Sequence, residues 1–340
     1  MNSRAFITGV SGLELDAAER EFIRVERPWG FILFKRNIDN PAQVAKLVEE
    51  LRKTIGGVDA PVLIDQEGGR VQRLAPPYWP VYPPGAVFGA LYDVDTELGL
   101  TAARLSSRLI AADLIELGIT VDCLPLADVP VAGADAVIGN RAYGTEPGKV
   151  AAIARAVAEG LEQGGVLPVL KHLPGHGRAT ADSHLRLPTV DTAKSELERT
   201  DFAAFQRLAD LPIGMTAHVV FSALDPAHPA TTSATIIREV IRGAIGFQGL
   251  LMSDDVSMNA LAGSIAERTR AIVNAGCDMV LHCNGKLDEM REIARETPEL
   301  TGQALERAKH ALATRKSPEP FDRQAARAEL DALIDRVGTA

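Results

Sequence analysis

The sequence predicts an α/β protein, a single TIM-type (β/α)8 barrel with C-terminal helices spanning residues 1–340. Short apolar runs alternate with longer amphipathic segments from end to end, and eight such runs can be counted. No Gly-x-Gly-x-x-Gly follows any of them, which removes the main signature of the rival doubly wound sheet. The 340 residues, 46% hydrophobic, suffice for one large core.

The predicted strands are Ala5–Gly9, Gly30–Lys35, Val62–Asp65, Val121–Pro125, Leu167–Lys171, Gly214–Val219, Gly249–Ser253 and Asp278–His282. Helices are predicted near 41–56, 95–117, 147–163, 194–208, 232–244, 264–275 and 285–296, several opened by N-cap signals such as Asn40-Pro41 or Thr232-Ser233. The proline-rich stretch Leu74–Gly89 predicts a long surface loop after the third strand, and no domain linker, because the alternation continues past it. The tail over about 300–338 reads as helical and charged, packed on the outside of the barrel.

A net charge of −9 without a face-sized basic cluster argues against nucleic acid. No run of 18 apolar residues is present, so no membrane span is expected, and the start lacks the pattern of a signal peptide. A cytoplasmic monomer is the expectation. Three cysteines, Cys123, Cys277 and Cys283, make no disulfide framework, and Cys283 is expected to be a buried free thiol.

Four strand ends carry polar groups. The richest is 171–184, Lys-His-Leu-Pro-Gly-His-Gly-Arg-Ala-Thr-Ala-Asp-Ser-His, with Lys171, His172, His176, Asp182 and His184 in one loop. Asp182, two residues before His184, can fix its tautomer and raise its basicity. The four groups His172, His176, Asp182 and His184 could also bind a metal, although Pro174 and two glycines rule out a helical His site. Gly175 and Gly177 suggest a mobile loop that closes on substrate. After the third strand, Ile64-Asp65-Gln66-Glu67-Gly68-Gly69-Arg70-Val71-Gln72-Arg73 offers an acid and two arginines, fit either to bind hydroxyls or to form a structural ion pair. Arg141, in Ile138-Gly-Asn-Arg141, is a weak signal alone. In Ser253-Asp254-Asp255-Val-Ser-Met258 one carboxylate can face the barrel axis as a nucleophile while the other is held by backbone donors or an arginine, and periodicity does not choose between them.

Together these motifs resemble the family 3 glycoside hydrolases, most closely the single-domain bacterial β-N-acetylglucosaminidases that recycle cell-wall fragments. The resemblance lies in residues 64–73, 138–141, 171–184 and 253–258, which occur in the family's order. It implies that Asp254 is the nucleophile of a retaining reaction, with His184 as general acid/base and Asp182 as its dyad partner. It further implies that Asp65, Arg73, Arg141, Lys171 and His172 bind N-acetylglucosamine, with no metal or other cofactor. The implied substrate is a small carbohydrate or muropeptide, N-acetylglucosamine linked to 1,6-anhydro-N-acetylmuramic acid. The chain departs from the family at Leu173, Asn140 and Val256, where Phe, Asp and Leu are common, which bears on fine specificity. Two-domain relatives carry an extra domain with a glutamate acid/base that this chain is too short to include. The rival readings are a metal-dependent barrel hydrolase using the histidine loop and a non-catalytic sugar-binding protein.

Overall fold

A computed structural model describes residues 3–57, 60–179 and 187–338. Eight parallel strands close a barrel in the order β1-β12-β11-β9-β7-β6-β3-β2. These are β1 (Arg4–Thr8), β2 (Pro28–Leu33), β3 (Val62–Ile64), β6 (Val121–Asp122), β7 (Leu167–Leu173), β9 (Ile213–Thr216), β11 (Leu250–Asp255) and β12 (Met279–His282). Each falls on a predicted strand. Two short pairs stand outside the barrel: the antiparallel β4 (Gln66–Gly68) and β5 (Val71–Gln72), and the parallel β8 (Thr189–Val190) and β10 (Val220–Phe221).

Inside the barrel, alternate residues meet on the axis. Ala5 and Ile7, Leu167 and Val169, Ile213 and Met215, Leu250 and Met252, and Met279 and Leu281 form one buried cluster. The residues between them, such as Phe6, Leu170, Leu251 and Val280, belong to the cluster beneath the surrounding helices. Both faces of these strands are therefore largely apolar, as parallel barrel sheets require.

The helices are α1 (Ala17–Glu26), α2 (Pro41–Ile55), α3 (Gly85–Val94), α4 (Thr96–Glu116), α5 (Pro147–Gln163), α6 (Lys194–Arg199), α7 (Asp201–Gln206), α8 (Ile265–Ala275), α9 (Leu287–Glu296), α10 (Gly302–Ala313) and α11 (Arg323–Gly338). Asn40 caps α2 by accepting from the Gln43 N–H, as its sequence signal predicts. Five elements differ from expectation, α10 of the tail among them. Helix α1 was not anticipated, although Asp16 and Glu19 form a capping box. The 194–208 helix breaks at Thr200 into α6 and α7, and the 232–244 segment becomes a π-helix, Ile236–Ala244. The proline-rich stretch ends in α3, whose Gly85 and Gly89 lie against the backbone carbonyls of Arg141 and Tyr143, where a Cβ would come within 2.2 and 2.1 Å. The tail divides. Helix α11 lies outside, against α3 and α4. Ala308 and Ala311 of α10, with Leu300 before it, instead join the axial cluster and close the N-terminal end of the barrel. No helix among the described residues is long and apolar enough to cross a membrane.

Candidate active site

The axial alternation does not stop at the last apolar residue. It carries Leu63 on to Asp65, Val169 to Lys171, Met252 to Asp254 and Leu281 to Cys283. All four line a cavity of about 290 Å³ at the C-terminal end of the barrel, with Glu67, Arg70, Arg73, Arg141, His172 and His176. Active sites of this fold occupy that end.

The register separates the two aspartates of β11. Asp254 lines the cavity. Asp255 is turned away and held: Oδ1 accepts the Ser257 and Cys283 N–H groups at 3.0 and 3.1 Å, and Oδ2 accepts the Ser257 hydroxyl at 2.6 Å. Asp255 is thus bound by backbone donors, one of the two arrangements anticipated for the non-axial acid. Cys283, expected to be buried, is half-buried at the cavity wall because it follows Leu281 on the axial side.

On the cavity floor, Lys171 Nζ lies 3.1 Å from Asp65 and 2.6 Å from Glu67. Arg73 meets the other oxygen of Asp65 at 3.0 Å, and Arg141 grips Glu67 through two bonds of 2.8 and 2.7 Å. Burial alone would raise both carboxyls, but the charges of Lys171 and the arginines overcome it. Asp65 is held well below the usual carboxylate range and Glu67 is lowered to about 2. Burial would likewise lower the Lys171 ammonium, and Glu67 and Asp65 instead push it up. All three groups are therefore charged at neutral pH, a rigid set of donors and acceptors matched to a polyhydroxylated ligand.

The pair Arg73 and Asp65 is placed by β4 and β5. The Gln66 amide oxygen accepts the Arg73 and Leu74 N–H groups, each at 2.9 Å, which fixes the chain as it leaves the hairpin. The prolines brace the same hairpin from outside. The Gln72 amide donates to the Leu74 and Pro80 carbonyls at 2.7 Å each, and the Gly69 N–H donates to the Tyr82 carbonyl at 2.9 Å.

Asp128 organises the histidines. Its Oδ2 lies 2.7 Å from His172 Nδ1, while Oδ1 accepts the backbone N–H of His172 at 3.3 Å and of His176 at 2.7 Å. Burial first, and then the neighbouring His172, lowers His176 to about 4, so it is neutral at pH 7. Asp182 and His184 lie outside the described residues. The start of their loop is packed tightly. A Cβ on Gly177 would come within 2.2 Å of the Val129 carbonyl, and one on Gly175 within 3.1 Å of Asp201. Gly177 thus answers to close approach and Gly175 also to its positive φ of 140°, while the loop closure expected from the sequence falls on residues that include 180–186, outside the described residues. Arg178 continues the anchoring, with Nε 2.6 Å from Asp201 and Nη2 2.9 Å from Thr200.

Five predicted binding residues, Asp65, Arg73, Arg141, Lys171 and His172, thus meet around one cavity with Asp254. Glu67, Asp128 and His176 were not singled out as binding groups. Glu67 stood within the quoted motif, whereas Asp128 follows a short strand with no local cue. Among the described residues no group of three or more His, Cys, Asp or Glu side chains could hold a metal ion.

Residues 8–314 match the glycosyl hydrolase family 3 N terminal domain. The chain is 40% identical over 280 residues to a β-hexosaminidase of Alkalilimnicola ehrlichii, covering 81% of this chain and 79% of that protein. It is 37% identical over 302 residues to one of Chromobacterium violaceum, covering 88% and 84%. The crystal structure of native NagZ from Neisseria gonorrhoeae superposes with a TM-score of 0.88 at 32% identity over 98% of both chains. A family domain spanning nearly the whole chain, on a barrel whose strand ends converge on one charged cavity, means that this chain belongs to glycosyl hydrolase family 3 and is a β-N-acetylhexosaminidase.

Proposed function

We propose that the enzyme is a retaining exo-β-N-acetylglucosaminidase that releases terminal N-acetylglucosamine from muropeptides such as N-acetylglucosaminyl-1,6-anhydro-N-acetylmuramic acid, acting as a cytoplasmic monomer in peptidoglycan recycling. The observation that carries this reading is the position of Asp254, on the axial face of β11 in the cavity that also holds Asp65, Lys171 and His172.

Asp254 attacks the anomeric carbon as the glycosidic C–O bond breaks, and His184, as imidazolium, gives its proton to the departing oxygen. His184, now neutral, takes a proton from water as the water oxygen attacks the anomeric carbon, releasing Asp254 and retaining configuration. Asp182 stabilises the imidazolium of the first step. Asp65, Arg73, Arg141, Lys171 and His172 hold the sugar, and their ionic network fixes the orientation of each donor before substrate arrives.

The test is hydrolysis of p-nitrophenyl N-acetyl-β-glucosaminide beside the β-glucoside, by the wild type and Asp254→Ala. Release from the first substrate only, lost in the variant, supports the reading. Equal release from both, or a fully active variant, contradicts it.

A further inference from the structure

The four cations around the cavity are not equivalent. Lys171, Arg73 and Arg141 each contact Asp65, Glu67 or both. Arg70, exposed in the turn between β4 and β5, meets no carboxylate among the described residues. Its two hydrogen bonds run to the Ala136 and Val137 backbone carbonyls, and both leave from Nη2. Neutral acceptors leave the guanidinium charge uncompensated while fixing its plane, and neither bond uses Nε or Nη1. An arginine so held is a preorganised fork for a carboxylate. Its place is the rim, because it is exposed whereas Lys171 on the floor is 2% exposed. When a terminal sugar fills the floor, the group attached to that sugar lies at the rim.

Resting on the reading of the site as a β-N-acetylglucosaminidase, we propose that Arg70 forms an aglycone subsite that recognises a carboxylate and so selects anionic over neutral aglycones. In a muropeptide that carboxylate is borne by the lactyl group of the muramic ring or by the peptide stem. An approaching anion also meets the Asp254 carboxylate in the same cavity, and Arg70 offsets that repulsion at the entrance.

The experiment measures kcat/KM for wild type, Arg70→Gln and Arg70→Lys on three disaccharides: the anhydromuramic compound with a free lactyl carboxylate, its neutral methylamide and its peptide-bearing form. In the wild type, one or both anionic forms are preferred over the neutral one, and the preference shrinks with added salt. Arg70→Gln lowers the anionic-to-neutral ratio by roughly threefold to tenfold, and Arg70→Lys restores part of it. A loss confined to the lactyl acid assigns the ring carboxylate, and a loss confined to the peptide-bearing form assigns the stem. An unchanged ratio, or an equal fall on all three substrates, overturns the subsite and leaves Arg70 as a tether for the 136–137 loop. A wild type that cleaves none of the three overturns the glycosidase reading itself, and the subsite with it.

Discussion

The two ends of the barrel use the same chemistry to opposite ends. At the N-terminal end Asp278, 5% exposed, accepts from Arg242 at 2.7 Å, from Arg307 of α10 at 2.9 Å and from the Leu251 N–H at 2.9 Å. At the C-terminal end Asp65 and Glu67 are gripped as closely by Lys171, Arg73 and Arg141. Both networks hold buried or half-buried carboxylates flanked by cations. Asp278 ties α10 across the base of the barrel, where Ala308 and Ala311 join the axial core. The upper network opens into a cavity of about 290 Å³ that also contains Asp254. A paired carboxylate is thus no mark of function in itself; the space beside it decides.

The largest expected effect separates the two ends outright. If Asp254 is the nucleophile we propose, Asp254→Ala should lower kcat by about 10⁴-fold or more, with little change in melting temperature. Asp278→Asn should leave kcat per folded molecule within about twofold and destabilise by about 1–3 kcal/mol, read by urea unfolding. If the Asp278 variant lost turnover at full stability, the division between the ends would collapse.

Lys171→Met should fail on both counts. It removes the cation that Asp65 and Glu67 share, leaving each with one arginine, at a cost of about 1–3 kcal/mol, and removes a proposed sugar ligand from the floor. Wild-type stability in Lys171→Met would show that the arginines suffice.

Acid should weaken the upper end in two stages. His176 has a folded pKa of about 4 against 6.5 for the free side chain, so the unfolded chain binds the proton first. Its contribution is full above pH 6.5 and is lost as pH falls to about 4, on the order of 3 kcal/mol. Glu67, lowered to about 2 from 4.5, behaves in the same sense over the next window down, full above about pH 4.5 and lost toward 2. Urea unfolding at pH 7.5, 5.5 and 4.5 should show the first slope in the wild type and a flatter one in His176→Gln. Parallel slopes would mean that His176 does not titrate as described.

The smallest effect is expected at the loop stem. Arg178→Ala removes the ties to Asp201 and Thr200 and should slow poor leaving groups several-fold more than activated phenols, because the proposed acid/base pair, Asp182 and His184, follows it in the sequence. Equal loss on both would make Arg178 a purely structural anchor.

The barrel was legible because alternation of apolar runs and amphipathic segments is a local pattern, and all eight strands fall where that pattern put them. Helix α3 was hidden by the prolines before it, and the place of α10 depends on the apolar end of the barrel it closes, which no local window contains. The strand ends were legible as sites because titratable groups follow apolar runs at Asp65, Lys171 and Asp254. Periodicity alone did not choose between Asp254 and Asp255, a choice that only the family resemblance made, since a strand buried on both faces hides its parity. It becomes readable only once Leu250 and Met252 are seen on the axis. Asp128 was missed because its partners, His172 and His176, lie 44 and 48 residues away.

The most direct measurement is to trap the glycosyl–enzyme with a 5-fluoro N-acetylglucosaminyl fluoride and map the labelled peptide by mass spectrometry. A single adduct on Asp254, together with overall turnover that retains configuration, is the predicted result. An adduct on Asp255 or any other residue, or turnover with inversion and no adduct, would contradict it.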